Sequence, residues 1–276
     1  MSGALVSARP SPSRSPTRRA AAGPDLSRFV LRRIGGLSVA AVDGDTAVAA
    51  VLEAMRTRMG LRVTFANAHC VNVSLEDADY REAMEGTLCL PDGIGVDLGS
   101  RLLFGEPFPE NLNGTDFVPR LLAAAAEPLR VALVGGEPGV AERAAQRFAE
   151  RFPQHRFTAV SHGFFQEGDQ AEGVAALLRA LKPDLLLVGL GVPRQEMFLH
   201  RHVGAREAAV AMGVGALLDF TAGKVARAPA LVRRLRAEWV WRLLLEPRRL
   251  ARRYIRGNPA FLLRVARQKI ARGTER

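Results

Sequence analysis

An α/β fold, with a mostly parallel sheet covered by helices on both faces, is predicted for this 276-residue chain by three observations. Short apolar runs, at 129–134, 184–188 and 208–214 among others, alternate with longer segments of helical periodicity. Turns rich in Gly and Pro follow several of these runs and open the next helical segment. A hydrophobic fraction of 48% supplies side chains for one sizeable core and rules out collagen, disulfide scaffolds and global disorder.

Taken in order, residues 1–33 read as a basic, disordered tail, rich in Ser, Pro, Ala and Arg without apolar periodicity. Residues 34–222 read as a Rossmann-like body. Its first strand is expected over 38–42, and Asp45 caps a helix running to about Met55. A strand over 62–66 leads through Asn67, Ala68 and His69 into one helix reaching Met84. The strand over 87–90 ends at Pro91-Asp92-Gly93, and helices over 94–104 and 115–126 flank the loop 105–114. Strands at 129–134, 155–160, 184–188 and 208–214 then alternate with helices at 140–151, 170–181 and from about Gln195. Residues 223–276 form a helical appendage, with Pro229, Pro247 and Pro259 each near a first helical turn and Trp239 and Trp241 expected in its core.

Charge divides along the same boundaries. The net charge is +11, but residues 223–276 carry 16 Lys and Arg against 3 Asp and Glu, and residues 1–33 carry 7 Arg against Asp25, so the body is net negative. A mildly acidic body with a basic appendage suits a peripheral binder of phosphate-rich surfaces, either nucleic acid or anionic lipid. No apolar run approaches the roughly 18 residues of a membrane span, and the N-terminus lacks the apolar core of a secretory signal. Cys70 and Cys89 lie in apolar surroundings without zinc-site spacing, which predicts buried thiols in a reducing compartment.

The chemistry concentrates at predicted strand ends. Asp92 sits directly after an apolar strand, where ligands bind in parallel sheets, although capping the following helix is an equally ordinary role for Asp. The turns at Gly135-Gly136 and Gly189-Leu190-Gly191 can offer N–H groups to a diphosphate. Neither is G-x-G-x-x-G and no G-K-[ST] occurs, so the dinucleotide oxidoreductase and P-loop readings find little support. Asp43-Gly44-Asp45 and Asp77-Ala78-Asp79 are poor metal sites, the first resembling a helix cap and the second splaying its carboxylates apart on a helix. Asn67, Asn113 and Gln195-Glu196 add polar groups at the edge that Asp92 shares. Such a set suits group transfer from a nucleotide-activated donor, with Asp92 as general base, better than hydride transfer.

A series of motifs, in order, resembles the WecG/TagA/CpsF family, glycosyltransferase family 26. It comprises LPDGIGV at 90–96, NGTD at 113–116, VGGEPG at 134–139, HGFF at 162–165, LVGLGVPRQE at 187–196, GVG at 213–215, AGKV at 222–225, RAP at 227–229, EPRR at 246–249 and GNP at 257–259. The resemblance implies an inverting, metal-independent transferase without a cofactor. It would move N-acetylmannosamine or glucose from a UDP donor to an undecaprenyl-diphosphate-linked saccharide of cell-surface polysaccharide synthesis, on the cytoplasmic membrane face. It assigns Asp92 as base and Thr64, Asn67, Asn113, Thr115, Gln195 and Glu196 to donor or acceptor, beside Gly135, Gly136, Gly189 and Gly191. Arg233, Arg248, Arg249, Arg252 and Arg253 would meet phosphate or an anionic membrane, with no nucleic-acid partner and a homo-oligomer left open. Two departures stand out: Thr64 is one residue out of register with the family's T-x-N-P-E, and Asn111 replaces an Arg common in the N-acetylmannosamine enzymes.

Overall fold

The computed structural model describes residues 26–229, 232 and 238–274. The greater part of the basic tail, through Asp25, and Arg233 lie outside these residues. The described chain starts with an antiparallel hairpin of β1 (Leu31–Ile34) and β2 (Leu37–Ala40), turning at Gly35 with φ +57. Three of the four residues of the first strand fall inside the segment that composition assigns to the tail. Its two arginines hide the alternation, yet Arg32 is buried and donates to Ser100 Oγ and to the Pro107 carbonyl, each at 2.7 Å.

The helix α1 (Gly44–Thr57) is capped by Asp43, not Asp45, through a 2.8 Å bond from the Thr46 N–H. The single helix expected up to Met84 is two, α2 (Ala68–Glu76) and α3 (Ala78–Ala83). Asp77 breaks it by leaving helical geometry and accepting the Tyr80 N–H at 3.1 Å, an arrangement that Asp favours over a helix interior.

The main sheet has six strands, all parallel, in the order β4-β3-β8-β7-β5-β6. These are β3 (Leu61–Ala66), β4 (Thr87–Pro91), β5 (Arg130–Gly135), β6 (Arg156–Ser161), β7 (Leu185–Gly189) and β8 (Val210–Gly213). The connecting helices are α4 (Gly93–Phe104), α5 (Gly114–Ala124), α6 (Val140–Arg151), α7 (Asp169–Leu181), α8 (Arg194–His202) and α9 (Leu217–Thr221). Strand alternation divides the core. Val131, Leu133, Leu185 and Leu187 face α1, α5, α6 and α9, whereas Ala132, Val134, Leu186 and Val188 face α7 and α8.

A third core joins the hairpin, α2 and α4 to the chain's end. Beyond the helix Glu238–Leu245, the short helix Pro247–Ala251 and a π-helical turn Arg252–Arg256, the C-terminal helix Gly257–Thr274 buries Phe261 and Val265 against Ile34, Leu37 and Cys70. Cys70 and Cys89 are buried free thiols, as their apolar surroundings predict. From β4 the chain crosses to β5, beyond β8 and β7. Such reversals open a crevice at the carboxyl ends of parallel strands, and the residues after β3, β4, β5, β7 and β8 collect there.

Candidate active site

A cleft of about 920 Å³ opens at this edge, lined from the C-terminal part of the chain by Lys224, Val225 and Ala228 and by residues between Glu238 and Leu262. Asp92 lines it, partly accessible and otherwise enclosed by protein. The residue has the extended backbone of a helix cap (φ −125, ψ 114), yet its carboxylate makes no capping bond to α4. The side-chain oxygen of Asn111 accepts the Gly93 N–H instead. Asp92 Oδ2 accepts from Asn67 Nδ2 at 3.3 Å, while Asn67 Oδ1 caps α2 by accepting the N–H groups of His69 (3.1 Å) and Cys70 (3.3 Å). Burial pushes the Asp92 pKa up to about 6, against the pull of the Asn67 hydrogen bond and the charge of Arg253.

Gln195 and Glu196 open α8 and point into different surroundings. Gln195 lines the cleft, accepts the Gly215 N–H at 3.0 Å, and donates through Nε2 to Glu196 Oε1 at 2.8 Å. Glu196 is buried behind it, and the same Oε1 accepts from Thr64 Oγ1 at 3.0 Å. Thr64 and Glu196 thus support Gln195 from inside the protein and do not line the cleft. Burial raises the Glu196 pKa to about 7. Gly213 permits this packing, since a Cβ there would stand 2.9 Å from Gln195 Nε2.

Among the glycines, Gly136, Gly189 and Gly191 line the cleft. Gly135 does not; at φ +138 its absent side chain lets β5 and β7 end close together, a Cβ there falling 2.5 Å from the Gly189 carbonyl oxygen. Asn113 and Thr115 line the opposite wall, with Asn113 capping α5 through a 3.0 Å bond from the Asp116 N–H.

Of the five appendage arginines singled out by sequence, Arg253 reaches the cleft, where Nη2 stands 3.4 Å from Asn67 Oδ1. Arg248 and Arg252 are exposed and do not line it, Arg249 lies on the short helix Pro247–Ala251, and Arg233 is outside the described residues. Sequence reasoning missed Arg242, whose guanidinium lies 5.7 Å from the centre of the Phe220 ring, and Lys224, paired with Glu137 at 2.6 Å. Arg242 stands alone among Trp and Leu residues, and a lone cation in an apolar helix was the available signal for a polar cleft on one side. Sequence places Trp239 and Trp241 in the core of the appendage, but both line the cleft, with Trp239 against Tyr254 (5.8 Å between ring centres) and the Trp241 indole N–H on the Ala226 carbonyl at 3.3 Å. His69 also faces the cleft, its pKa lowered to about 4 by burial and by Arg253.

No cluster of three or more potential metal ligands occurs among the described residues, and no described helix is long and apolar enough to cross a membrane. Asp43 and Asp77, one from each D-x-D triplet, both act as helix caps.

Residues 32–275 match the glycosyl transferase WecG/TagA/CpsF family. The N-acetylglucosaminyldiphosphoundecaprenol N-acetyl-beta-D-mannosaminyltransferase of Staphylococcus aureus (strain NCTC 8325 / PS 47) is 31% identical over 211 residues, 76% of this chain and 81% of that protein. The protein of the same description from Staphylococcus aureus (strain MRSA252) is 31% identical over the same coverage. With the family match extending through the hairpin, the sheet, its cleft and the C-terminal helix, the chain belongs to the WecG/TagA/CpsF family of glycosyltransferases.

Proposed function

We propose that the protein transfers a hexose, N-acetylmannosamine or glucose, from a UDP donor to an undecaprenyl-diphosphate-linked saccharide, inverting the anomeric carbon. The observation that carries the reading is the Asp92 carboxylate, which sits in the sheet-edge cleft and makes no capping bond to α4. Asp92 takes the proton of the acceptor hydroxyl as that oxygen attacks the anomeric carbon. The bond to the donor's diphosphate breaks, and its electron pair leaves with UDP. Base assistance of this kind contributes about 10²- to 10⁴-fold.

Negative charge growing on the departing diphosphate needs donors already in place. Arg253 and Arg242 supply cations at the cleft, and the backbone at Gly136, Gly189 and Gly191 approaches without side chains in the way. The acceptor class follows the relatives, whose name specifies N-acetylglucosaminyldiphosphoundecaprenol. Asn111 in place of Arg keeps glucose beside N-acetylmannosamine as a donor sugar.

A lipid-linked acceptor calls for contact with the membrane surface. Leu244, Ile255, Leu263 and Ile270 are exposed on the same C-terminal segment as exposed Arg248, Arg252 and Arg256. Apolar side chains among arginines suit the anionic cytoplasmic face, with the protein peripheral to it. A panel of UDP-sugars with lipid-diphosphate acceptors, run on the wild type and on Asp92→Asn, tests the proposal. Turnover by the wild type with loss in the variant is expected. Absence of turnover with every UDP-sugar, or an undiminished variant, overturns it.

A further inference from the structure

We propose that Asn111 is a positioning residue for Asp92: from the loop that follows α4 it holds the left-handed Gly93 turn, and so keeps the Asp92 carboxylate directed at the cleft and away from the helix start. The inference rests on the reading of Asp92 as the general base.

Two aspartates share one backbone geometry. Asp77 and Asp92 both precede helices, at φ −125 and ψ 114. Asp77 caps its helix, accepting the Tyr80 N–H at 3.1 Å, and Asp92 does not cap its own. The residues that follow differ: Gly93 stands in the left-handed region at φ +86, and Ala78 does not. The first N–H groups of any helix lack partners within the helix, and Asp is among the residues that best answer them. At α4 the Gly93 N–H is answered by Asn111 Oδ1, from a residue 18 positions further along the chain. The next residue, Leu112, fixes that loop by donating its N–H to the Pro91 carbonyl at 2.8 Å, directly before Asp92. On its other side, Asp92 Oδ2 is held by Asn67 Nδ2. Asn111 thus holds the turn that aims Asp92, and Asn67 holds the carboxylate itself. Both also line the cleft.

Asn at 111 has a further consequence. Its side-chain oxygen is an acceptor without charge, and so it holds the Gly93 turn without adding repulsion next to Asp92. The charged groups acting on Asp92 are then Arg253 and Arg242, which favour its ionised form, and Glu238, which opposes it; all three come from the C-terminal segment. On α4 itself, Asp97 is buried and accepts the Phe108 N–H at 3.2 Å. His69, across the cleft on α2, is held neutral near pH 7.

The test uses two substitutions with opposite expected signs. Asn111→Ala frees the Gly93 turn, Asp92 relaxes toward the N–H groups of the first turn of α4, and hydrogen bonds to its ionised form lower its pKa. Asn111→Asp keeps an acceptor but places a like charge beside Asp92 and raises that pKa. The full-length protein is labelled at its Asp carboxyl carbons, with Asp92→Asn identifying the resonance, and titrated by NMR alongside the pH profile of kcat. The expected result is an Asp92 midpoint below the wild-type value in Asn111→Ala and above it in Asn111→Asp. In Asn111→Ala, kcat is also expected to fall about tenfold, a part of the base contribution. If Asn111→Ala is poorly folded, Asn111→Ser, whose shorter side chain does not reach the Gly93 N–H, is titrated in its place, with the same downward shift expected. An unmoved Asp92 midpoint in the folded variants overturns the coupling, whatever the activity. A fully active Asp92→Asn enzyme overturns the base assignment separately.

Discussion

Asn67 Nδ2 donates to Asp92 Oδ2 across 3.3 Å, so the residue that starts α2 also steadies the carboxylate that follows β4. Each strand end thereby constrains its neighbour. With the Asp92 pKa raised to about 6 by burial, a base at this position is protonated and idle in acid and becomes ionised as pH rises through 6. The acidic limb of kcat/KM is therefore expected near pH 6. Asn67→Ala removes a hydrogen bond that favours the ionised carboxylate, so this limb should move to higher pH. Asp92→Asn should lower kcat by about 10²- to 10⁴-fold. Initial rates between pH 5 and 9 check all three.

Glu196 carries a stability prediction. Its folded pKa of about 7 lies above the ordinary value of 4.5, so the folded state holds this proton more tightly than the unfolded state does. Its contribution is fully present below pH 4.5 and is lost as pH rises through 7. Glu196→Gln removes the titration and keeps an oxygen to accept from Thr64 and Gln195. Urea unfolding at pH 5 and pH 8 should show a smaller pH-dependent loss of stability in the variant than in the wild type.

Arg253 and the exposed pair Arg248 and Arg252 separate two roles within one segment. Arg253→Ala, at the cleft, should lower kcat/KM with little change in flotation on anionic liposomes. The double variant Arg248→Ala/Arg252→Ala should weaken flotation, most visibly at low salt, and spare turnover of a detergent-soluble acceptor. Tight low-salt binding of nucleic acid by the wild type, with no flotation, would turn the surface reading toward another partner.

Arg227 links the body to the C-terminal lining of the cleft. It pairs with Asp116 on α5 at 2.6 Å and approaches Glu238 at 3.6 Å, just before Trp239 and Arg242. Arg227→Ala should raise KM for the donor and speed proteolysis between α9 and the helix Glu238–Leu245, while the thermal midpoint of the body changes little. Steady-state kinetics and limited proteolysis test this directly.

The parallel sheet was legible because most of its strands are apolar runs closed by Gly, Pro or an amide, and because β7 and β8 are buried on both faces. Asp92 was legible for the same reason, as a carboxylate just past such a run. What sequence could not separate was capping from exposure, since the groups around Asp92 come from afar: Asn111 meets the Gly93 N–H, and Asn67 the Asp92 carboxylate, only once the chain has folded. The strand β1 was hidden by a buried arginine whose partners lie some 70 residues away. Thr64 and Glu196 carry the same residue types as substrate contacts. Their placement behind Gln195 follows from strand phase and helix rotation, which motif spacing does not encode.

The C-terminal helix has one more consequence, for how the molecule can be divided. Phe261 and Val265 complete a core whose other members include Ile34, Val71 and Tyr80. Large apolar side chains of this kind stabilise by about 1.5 to 3 kcal/mol each when buried. Arg264 adds bonds to α2, donating to Asn72 Oδ1 at 2.9 Å, and Asn72 donates to the Gly257 carbonyl at 2.7 Å. The hairpin, α2 and the C-terminal helix should therefore melt together as one cooperative unit. Deleting the chain from Gly257 onward would unseat α2, and with it Asn67, so loss of surface attachment and loss of catalysis cannot be separated by truncation. Point substitutions on the helix's exposed face can separate them.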